Sequence, residues 1–494
     1  MFPEISEFDH HGTPVLVSEC AGPLTGTLHI GVGTRDEPIH LLGITHLLEH
    51  VVLRRVGEKA VKHNGQTDPD SVSFWATGSP DEVVDFLNDV AGSLTTLGTV
   101  TADALAREKA VLATELTDAF VNFDESLTTY RQGSTDLGLT HLGAPTTHAI
   151  TADELVAWAS RWVTTDNAVL TFTGAVPAGL FVRLPERPAA PRPTPRPSPN
   201  DRSAVIGSSK QGVAVSYVTA DEQASFLAAA VEDELLHELR HERGLIYGVQ
   251  TWSFRDHEGR RVNQFALDPR DDDVTATAVA TVDLLRRLAT EGFDQRSLQR
   301  AASTCRTALA YVDQAAMYHL DEVAVDRLRD RRTTSLDAEL ALADTMTTER
   351  LTELLAAALP SLQVAVSSAA DLADESLTAL GLEIDPFTGW VEDHTDVPDG
   401  PAYRSRRLGG DLPSGLTLTL GEDRLALVGR GESRSVDLRD VILVGHHECG
   451  CLALLDSRGR VAKLDPDDWR KSARLRATVL DLFDPSLVRT FPSH

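Results

Sequence analysis

The sequence has few cysteines, no long apolar run and no excess of basic residues. Its cysteines are irregularly spaced, which argues against a disulfide scaffold and favours a reducing compartment; they are Cys20, Cys305, Cys449 and Cys451. No stretch approaches the roughly 18 apolar residues that a membrane span requires. The amino terminus, MFPEISEFDHHG, has neither the basic nor the apolar region of an export signal. We therefore predict a cytoplasmic protein with no membrane partner.

The overall charge and length limit the class of protein further. A formal net charge of −28 argues against nucleic acid or an anionic membrane as the main partner, and suits neutral or basic ligands. Hydrophobic residues make up 42% of the chain, which is enough for large buried cores. Because 494 residues is too long for one ordinary domain, several domains are expected.

A proline-rich segment, RPAAPRPTPRPSPN at residues 187–200, divides the first part of the chain. Proline removes backbone donors and favours extended conformations, so this segment is predicted to be a semi-rigid linker. It separates a domain at residues 1–186 from a second domain at residues 201–374.

The two sides of this linker look like diverged copies of one unit. Shifted by 194 positions, residues 79–116 lie over residues 273–310, and both segments read as helix, glycine, short loop and helix. The glycines Gly98 and Gly292 coincide in this alignment. We therefore expect two homologous α+β domains, each with helices that cover one face of a sheet.

The rest of the chain has a different pattern. Residues 375–415 are poorly periodic and are predicted to be a connector. From Leu416 onwards, short alternating strands and tight turns follow one another, and DPDDWRKSARLRATVLDLF is predicted to form a closing helix capped by Asp465. This pattern resembles a small β-barrel of the pleckstrin-homology-like type with a carboxy-terminal helix, at residues 416–494.

The stretch HLLEH contains the strongest indication of chemistry. A helix turns by about 100° per residue, so His46 and His50 point the same way and can share one tetrahedral metal ion, with Glu49 beside them. Catalytic zinc needs a third protein ligand, an open fourth position and a carboxylate base. The alternative is an ordinary amphipathic helix, because a chance HxxEH occurs in a chain of this composition about one time in twenty.

A third ligand is available downstream in DALAREKAVLATEL. Glu108 and Glu115 are seven residues apart, so both project from one face of a helix. Alone, such a pair is more often a solvated stripe, but the face between the two glutamates includes Val111 and Leu112. These apolar residues are expected to draw Glu115 inward, where a carboxylate needs a metal or a partner. The aligned positions of the second copy are Ala302 and Leu309, which predicts that only the first copy holds metal.

HLLEH followed by EKAVLATE resembles the inverted zinc motif of the inverzincins, the family of pitrilysin, insulin-degrading enzyme and mitochondrial processing peptidase, in a short two-repeat bacterial form. GVGTRDEP resembles the family's strand and acidic loop before the zinc helix. Residues 64–67 stand where the family has Asn-Ala-x-Thr on a strand that binds substrate backbone. LLHELRHERGLIYGV is similar to its Arg…Tyr element, although an ordinary helix exit is the alternative for that segment.

The resemblance covers residues 10–370 and implies a role for each matching residue. It implies that the zinc ligands are His46, His50 and Glu115. Glu49 would be the general base, and Glu108 would orient a ligand histidine. The residues that would hold substrate backbone are Asn64, Gly65, Arg240 and Tyr247, and the last two would also stabilise the oxyanion of the reaction intermediate.

The activity implied by the resemblance is that of a zinc-dependent endopeptidase acting on peptides or unfolded segments. The family encloses its substrate in a chamber of four α+β domains. Since one chain supplies two domains, a homodimer or a heterodimer with a homologous chain is expected, with Arg240 and Tyr247 completing the partner's site. Two alternatives remain open, a non-catalytic assembly or binding subunit of a heteromeric peptidase and a maturation peptidase that removes leader peptides.

Two features depart from the family pattern. Only 115 − 50 − 1 = 64 residues separate His50 from Glu115, and the missing length falls in VVLRRVGEKAVKHNG, directly after the zinc motif. Gly65 replaces the usual alanine. Both changes are expected to alter the wall of the pocket. A separate segment with soft ligands, HHECGC at residues 446–451, lies between two apolar strands and is predicted to be a hairpin turn rather than a metal site.

Overall fold

The computed structural model describes most of the chain, and its helices and strands form four sheets with flanking helices. The described residues are 2–115, 127–139, 145–194, 199–208, 211–220, 223–368, 370–393, 397–406, 412, 414–465 and 468–491. No helix within these ranges is long and apolar enough to cross a membrane.

The first half of the chain builds a six-stranded sheet in the order β1-β2-β6-β3-β5-β4. Its strands are β1 (Ile5–His10), β2 (Thr13–Ser18), β3 (Leu24–Ile30), β4 (Lys62–Thr67), β5 (Val72–Gly78) and β6 (Ala168–Phe172). Its helices are α1 (Ile44–Val56), α2 (Pro80–Thr95), α3 (Ala102–Glu115), α4 (Leu127–Gln132) and α5 (Ala152–Trp162). Apolar residues at helical and strand spacing, such as Leu48, Phe74 and Phe86, meet between α1, α2 and the sheet with no exposure.

The second half builds another six-stranded sheet, in the order β12-β7-β11-β8-β10-β9. Its strands are β7 (Ala204–Ser208), β8 (Val213–Thr219), β9 (Ile246–Arg255), β10 (Arg261–Pro269), β11 (Gln363–Ser367) and β12 (Glu383–Asp385). Its helices are α6 (Ala224–Leu235), α7 (Val274–Glu291), α8 (Gln295–Ala310), α9 (Val312–Leu328), α10 (Leu336–Thr345), α11 (Thr348–Ala358) and α12 (Glu375–Thr378).

The two halves repeat one topology. The order β2-β6-β3-β5-β4 of the first sheet matches β7-β11-β8-β10-β9 of the second, and in each the first pair is parallel and the others are antiparallel. Helix α2 begins at Pro80 and α7 at Val274, an offset of 274 − 80 = 194 residues. This is the offset found in the sequence, so the aligned helices occupy equivalent places.

The proline-rich segment lies along the first half rather than standing free. Its residues 187–194 have no regular secondary structure, as proline content predicts, while residues 195–198 lie outside the described ranges. The Arg192 guanidinium donates to the carbonyl of Gly31 at 2.7 Å and to that of Leu328 at 2.8 Å. The segment therefore connects the two halves and also contributes to their contact.

Buried ion pairs join the halves directly after α9. Arg329, whose side chain is 6% exposed, donates to both carboxylate oxygens of Asp36 at 3.0 and 2.6 Å, and its Nε lies 3.2 Å from the Asp70 carboxylate. Asp36 and Asp70 belong to the first half, and Arg329 belongs to the second. The pairs fix the position of one sheet relative to the other.

Replacing Arg329 with alanine is expected to lower the free energy of unfolding by about 3 kcal/mol, because buried carboxylates then lose a charged partner. The matched control is Arg327→Ala. Arg327 pairs with Glu7 at 2.8 Å, but both side chains are more than 40% exposed, so the cost should stay below about 1 kcal/mol. Denaturant unfolding measures both values. Equal losses would show that the Arg329 pairs do not hold the halves together.

The last part of the chain forms two further sheets. The third sheet has the order β13-β17-β16-β15-β14 and the fourth has the order β20-β19-β18-β21. The strands are β13 (Val391–Glu392), β14 (Ala402–Arg404), β15 (Thr417–Leu420), β16 (Arg424–Gly429), β17 (Glu432–Asp437), β18 (Val441–His447), β19 (Leu452–Asp456), β20 (Val461–Leu464) and β21 (Val488–Phe491). One core that includes Leu418, Val444 and Trp469 lies between these strands and α13 (Ser472–Leu480).

The structure differs from the sequence predictions at two places here. Within the predicted connector at residues 375–415, β12 extends the second sheet and β14 extends the third. The closing helix begins at Ser472 after Lys471 (φ 61°) instead of following Asp465, and residues 466–467 lie outside the described ranges. Strands of two or three residues are too short to show a period, and the burial of Trp469 in the core holds its segment in an extended bridge to Ser405.

The third part of the chain also packs against the first half. An apolar cluster combines residues that precede α1 or follow α4 with residues of the fourth sheet. Its buried members are Ile39, Leu42, Leu139, Leu443, Ala453, Leu455 and Val461. Ile39 and Leu42 immediately precede α1. The carboxy-terminal sheets therefore support the loop that leads into the helix carrying HLLEH.

Candidate metal centre

Helix α1 places the two motif histidines on one side. The His46 and His50 rings lie with their centroids 4.8 Å apart, and their side chains are 23% and 15% exposed. The apolar residues of α1, including Leu47, Leu48 and Val52, are fully buried against the sheet. Because hydrophobic packing fixes the rotation of α1, the histidines are directed towards α3.

Helix α3 provides the third donor. The Glu115 side chain is 53% exposed rather than drawn inward, because only Leu112 of the two neighbouring apolar residues is buried and Val111 is exposed. Glu115 Oε2 lies 3.3 Å from His50 Nε2, and Glu115 Oε1 lies 3.8 Å from His46 Nε2. One donor atom of each residue lies within 4.8 Å of the other two, and no other set of three in the described part of the chain meets this criterion. Burial lowers the pKa of His46, as does the neighbouring His50, so His46 is held in the neutral form that binds metal.

These donors fit zinc. With zinc–ligand distances near 2.1 Å, tetrahedral ligands lie about 3.4 Å apart, so shifts of about 1 Å or less in side-chain position satisfy the geometry. Two imidazole nitrogens and one carboxylate oxygen form a common catalytic zinc set, with a fourth position left for water. The cavity around them has a volume of about 560 Å³ and also contains Asn64 and Gly65.

Glu108 is placed on the far side of His50. Its Oε2 lies 3.9 Å from His50 Nδ1, while His50 Nε2 faces Glu115. Arg54, one turn beyond His50 on α1, has its Nε 3.6 Å from the other oxygen of Glu108. The buried Glu108 carboxylate is therefore charge-balanced and positioned to orient His50.

Glu49 lies beside the three donors and is 5% exposed. Thr67 Oγ1 donates a hydrogen bond of 2.7 Å to Glu49 Oε2. Burial raises the pKa of Glu49 to about 7; the Thr67 hydrogen bond opposes this, and the nearby carboxylates of Glu115 and Asp68 add to it. A carboxyl group with a pKa near neutrality is suited to take up and release a proton.

A carboxylate from the preceding loop caps α1. Both oxygens of Glu37 accept backbone hydrogen bonds, from Gly43 at 2.7 Å and from Thr45 at 2.8 Å. Gly43 occupies the N-cap with φ 92° and provides no side-chain cap. Burial raises the pKa of Glu37 to about 7, with these N–H donors acting in the opposite direction. The acidic loop GTRDEP therefore fixes the start of the histidine helix.

Glu37→Ala should lower the free energy of unfolding by about 1–3 kcal/mol, because two buried N–H groups lose their acceptor. Glu82→Ala is a matched control, since Glu82 accepts from Ser79 N at 2.9 Å at the start of α2 but in an exposed position. Because the Glu82 carboxylate is exposed to water, Glu82→Ala should cost clearly less than Glu37→Ala. The two variants are compared by denaturant unfolding, and an equal or smaller loss for Glu37→Ala would contradict the assignment.

Arg240 and Tyr247 come together in the second half but not at this cavity. The Arg240 guanidinium lies over the Tyr247 ring at 5.1 Å, and Tyr247 is 77% exposed. Arg240 lies in a π-helical turn, Leu236–Glu242, and Tyr247 lies in the edge strand β9. Neither residue lines the cavity around His46 within the chain that the structure describes.

The second half has no equivalent donor set in its described residues. Helix α6 packs on α8 as α1 packs on α3, and the positions equivalent to Glu108 and Glu115 are Ala302 and Leu309, which are 5% and 8% exposed. An apolar contact replaces the charged residues. The segment HHECGC ends β18 with its two histidines and continues into the turn that leads to the antiparallel strand β19, so a hairpin forms here as predicted.

Three contacts of the site were not predicted from the sequence, although Thr67 and Glu37 lie in segments that the family resemblance singled out. Thr67 bonds Glu49, Glu37 caps α1, and Arg54 of α1 lies beside Glu108. Arg54 could have been found from its i+4 spacing to His50, which places both on one helix face. Thr67 and Glu37 reach α1 through sheet pairing and loop geometry, for which a single sequence gives no distance.

The comparisons with known proteins agree on the fold. The model of the family described as "Peptidase M16 inactive domain" matches residues 149–305, a region that includes Arg240 and Tyr247 but not the HLLEH motif. No curated protein sequence matches the chain.

Solved structures resemble most of the chain. A chain of complex III2 from Candida albicans, with Inz-5 bound, has a TM-score of 0.61 at 14% identity, covering 76% of this chain and 100% of that chain. The peptidase M16 inactive domain from Pseudomonas fluorescens has a TM-score of 0.60 at 16% identity, with coverage of 74% and 98%. A protease from Helicobacter pylori has a TM-score of 0.59 at 16% identity, with coverage of 74% and 100%.

The fold is therefore that of the M16-like peptidases, with an M16 inactive-domain match across the junction of the two halves. This result gives the architecture of the chain. It does not extend to the identity of the metal or to an activity.

Proposed function

We propose that the protein is a zinc-dependent endopeptidase that hydrolyses peptides or unfolded segments. The observation that carries this proposal is the convergence of His46, His50 and Glu115 beside the buried carboxylate of Glu49. Structural residues rarely gather two imidazoles and two carboxylates in an open cavity. The M16-like fold of the chain supports the same class.

The residues of the site have separate roles in the proposed reaction. His46, His50 and Glu115 would hold the zinc, which supplies a Lewis acid and lowers the pKa of a bound water to about 7. Glu49 takes a proton from the attacking water and delivers it to the amide nitrogen as the C–N bond breaks. The remaining proton of the water passes from the new carboxyl group to the amine, so the products are a carboxylate and an ammonium group and Glu49 returns to its starting form.

The edge strand β4 would position the substrate. Among the strands of the described ranges it pairs with β5 alone, so the backbone next to Asn64 and Gly65 lies at an edge of the sheet. An extended peptide can add to such an edge as a further strand. A neighbouring cavity of about 520 Å³ between the halves shares Gln66 with the metal cavity and gives an extended peptide room.

The position of Arg240 and Tyr247 supports the proposal of a dimer. Both are exposed, paired with each other and away from the metal cavity of their own chain. We propose that they complete the site of a partner chain, in a homodimer or with a homologous chain. In this arrangement they hold substrate backbone and stabilise its developing oxyanion.

Purified protein should contain about one zinc per chain and cleave an unstructured peptide mixture. Removing the metal with a chelator should abolish cleavage, and adding one equivalent of zinc should restore it. Elemental analysis and mass spectrometry of the products measure both properties. Protein with intact ligands that neither retains zinc nor takes it up would overturn the proposal.

A second candidate is a non-catalytic subunit of a heteromeric assembly. The match to an "inactive domain" model and the likeness to a chain of complex III2 favour it. Zinc binding without cleavage by the chain alone, with cleavage after addition of a homologous chain, would support this candidate. A single specific cut in small precursor peptides would instead indicate leader-peptide maturation.

Three sequence-based interpretations remain predictions: the cytoplasmic location, the domain boundary at the proline-rich linker and the pleckstrin-homology-like class of the carboxy-terminal part.

A further inference from the structure

The connection between α1 and β4 is short, and the strand that follows it faces Glu49. Helix α1 ends at Val56 and β4 begins at Lys62, which leaves 62 − 56 − 1 = 5 residues between them. Alternate residues of β4 point towards the helices: the His63 ring lies 5.0 Å from that of Phe86, and Thr67 bonds Glu49. Gly65 occupies the position between His63 and Thr67 on this face.

Gly65 has no room for a side chain. A Cβ atom at this position would lie 2.6 Å from Cγ of Glu49 and 2.9 Å from its Oε1, closer than the 3.0 Å that real Cβ contacts keep. All three of the nearest atoms belong to Glu49. The backbone of β4 therefore lies directly against the Glu49 side chain, and a Cβ at position 65 would displace that side chain from its present orientation.

Thr67 fixes the other end of the same side chain. Its hydroxyl donates to Glu49 Oε2 at 2.7 Å, a length typical of a strong hydrogen bond to a carboxylate. The Glu49 side chain therefore lies against Gly65 on one face and is hydrogen-bonded to Thr67 through one oxygen. The short connection and the glycine at position 65 both depart from the family pattern. Together they place β4 directly against the Glu49 side chain.

We propose that Gly65 and Thr67, here called the Glu49 cradle, are positioning residues that set the orientation of the general base. The inference rests on the proposed role of Glu49 and adds the reason for the shortened connection. The five-residue link draws β4 against α1, and Gly65 makes that closeness possible. The cradle acts through Glu49 and does not contact the metal donors.

The first test requires no catalysis. In the full-length protein, Gly65→Ala should lower the melting temperature by about 1–3 °C, because the added Cβ must displace the Glu49 side chain. In the Glu49→Ala background the same change should cause no loss, because the clashing atoms are gone and alanine has less backbone entropy to lose than glycine. Gly92→Ala, where a Cβ would meet no atom within 4 Å, should cause the same shift in both backgrounds.

An equal melting shift for Gly65→Ala in the two backgrounds would overturn the cradle. Because this comparison uses only unfolding, it decides the question even if the protein cleaves no peptide. Failure of the proposed function and failure of the cradle are therefore separate results.

The second test uses cleavage of an unstructured peptide. Thr67→Val should lower kcat about tenfold or more, with KM, zinc content and melting temperature near the starting values, since misorientation of a catalytic group is costly. Thr67→Ser should restore most of the lost turnover because it retains the hydroxyl. Thr25→Val removes a hydroxyl contact of 2.9 Å with Thr77 in the same sheet and should leave kcat unchanged. An active protein whose kcat is insensitive to Thr67→Val, or whose Thr67→Ser variant is as slow as Thr67→Val, would contradict the proposal.

Discussion

The Glu49→Gln variant should retain about one zinc per chain and lose cleavage by a factor of about 10²–10⁴, the usual contribution of a general base. Glutamine has the shape of glutamate and its amide oxygen can still accept the Thr67 hydrogen bond, so the local structure should persist. Its amide cannot accept a proton from water at neutral pH. Metal analysis and initial rates with an unstructured peptide separate these two properties.

Two further variants make the Glu49 result specific. Glu58→Gln changes the charge equally at an exposed position just beyond α1 and should leave both zinc content and rate unchanged. Glu115→Gln removes a donor and should lower zinc affinity together with the rate. A Glu49→Gln enzyme with an undiminished rate would remove Glu49 from the proposed mechanism, and one that lost its zinc would show that Glu49 is needed to hold the metal.

Deleting residues 416–494 should leave a chain that neither folds cooperatively nor holds zinc. The deletion removes the fourth sheet from the apolar cluster around Ile39 and Leu42, directly before α1. Each fully buried leucine contributes about 1.5–3 kcal/mol to burial, so exposing the cluster costs several times that amount. The truncated and full chains are compared by thermal unfolding and zinc analysis.

Point variants test the same contact without truncation. Leu455→Ala, at a fully buried position of the cluster, should cost about 2–5 kcal/mol. Leu482→Ala in the same part of the chain alters a side chain that is 38% exposed and should cost much less. A truncated protein that melts like the full chain and binds one zinc would show instead that the tail is an independent module.

Much of the candidate site follows from local spacing. The i, i+4 histidines and the seven-residue spacing of Glu108 and Glu115 need only helical geometry, and both segments are helical over those residues. The repeat of the two halves was visible because corresponding helices keep a constant offset. Residue spacing alone is therefore sufficient to predict which side chains share a face when they belong to the same helix.

Other features depend on contacts that a single sequence does not specify. Glu37 caps α1 across a loop, and Thr67 reaches Glu49 through the position of β4. At Trp469, burial in the core outweighed the local helical pattern and delayed the start of α13. Arg192 looked like part of a spacer but bonds carbonyls of both halves. In each case the position of the residue is determined by contacts with residues that are distant in the sequence.

The cluster that joins Leu42 to Leu443 and Leu455 also affects the order of events during synthesis. The ribosome produces the histidine helix early, but the residues that cover the loop before it emerge about 400 positions later. Contacts so distant in sequence form late, because the intervening chain must first be made and closed. We therefore expect the nascent chain to lack a formed metal centre until its carboxy-terminal sheets have folded.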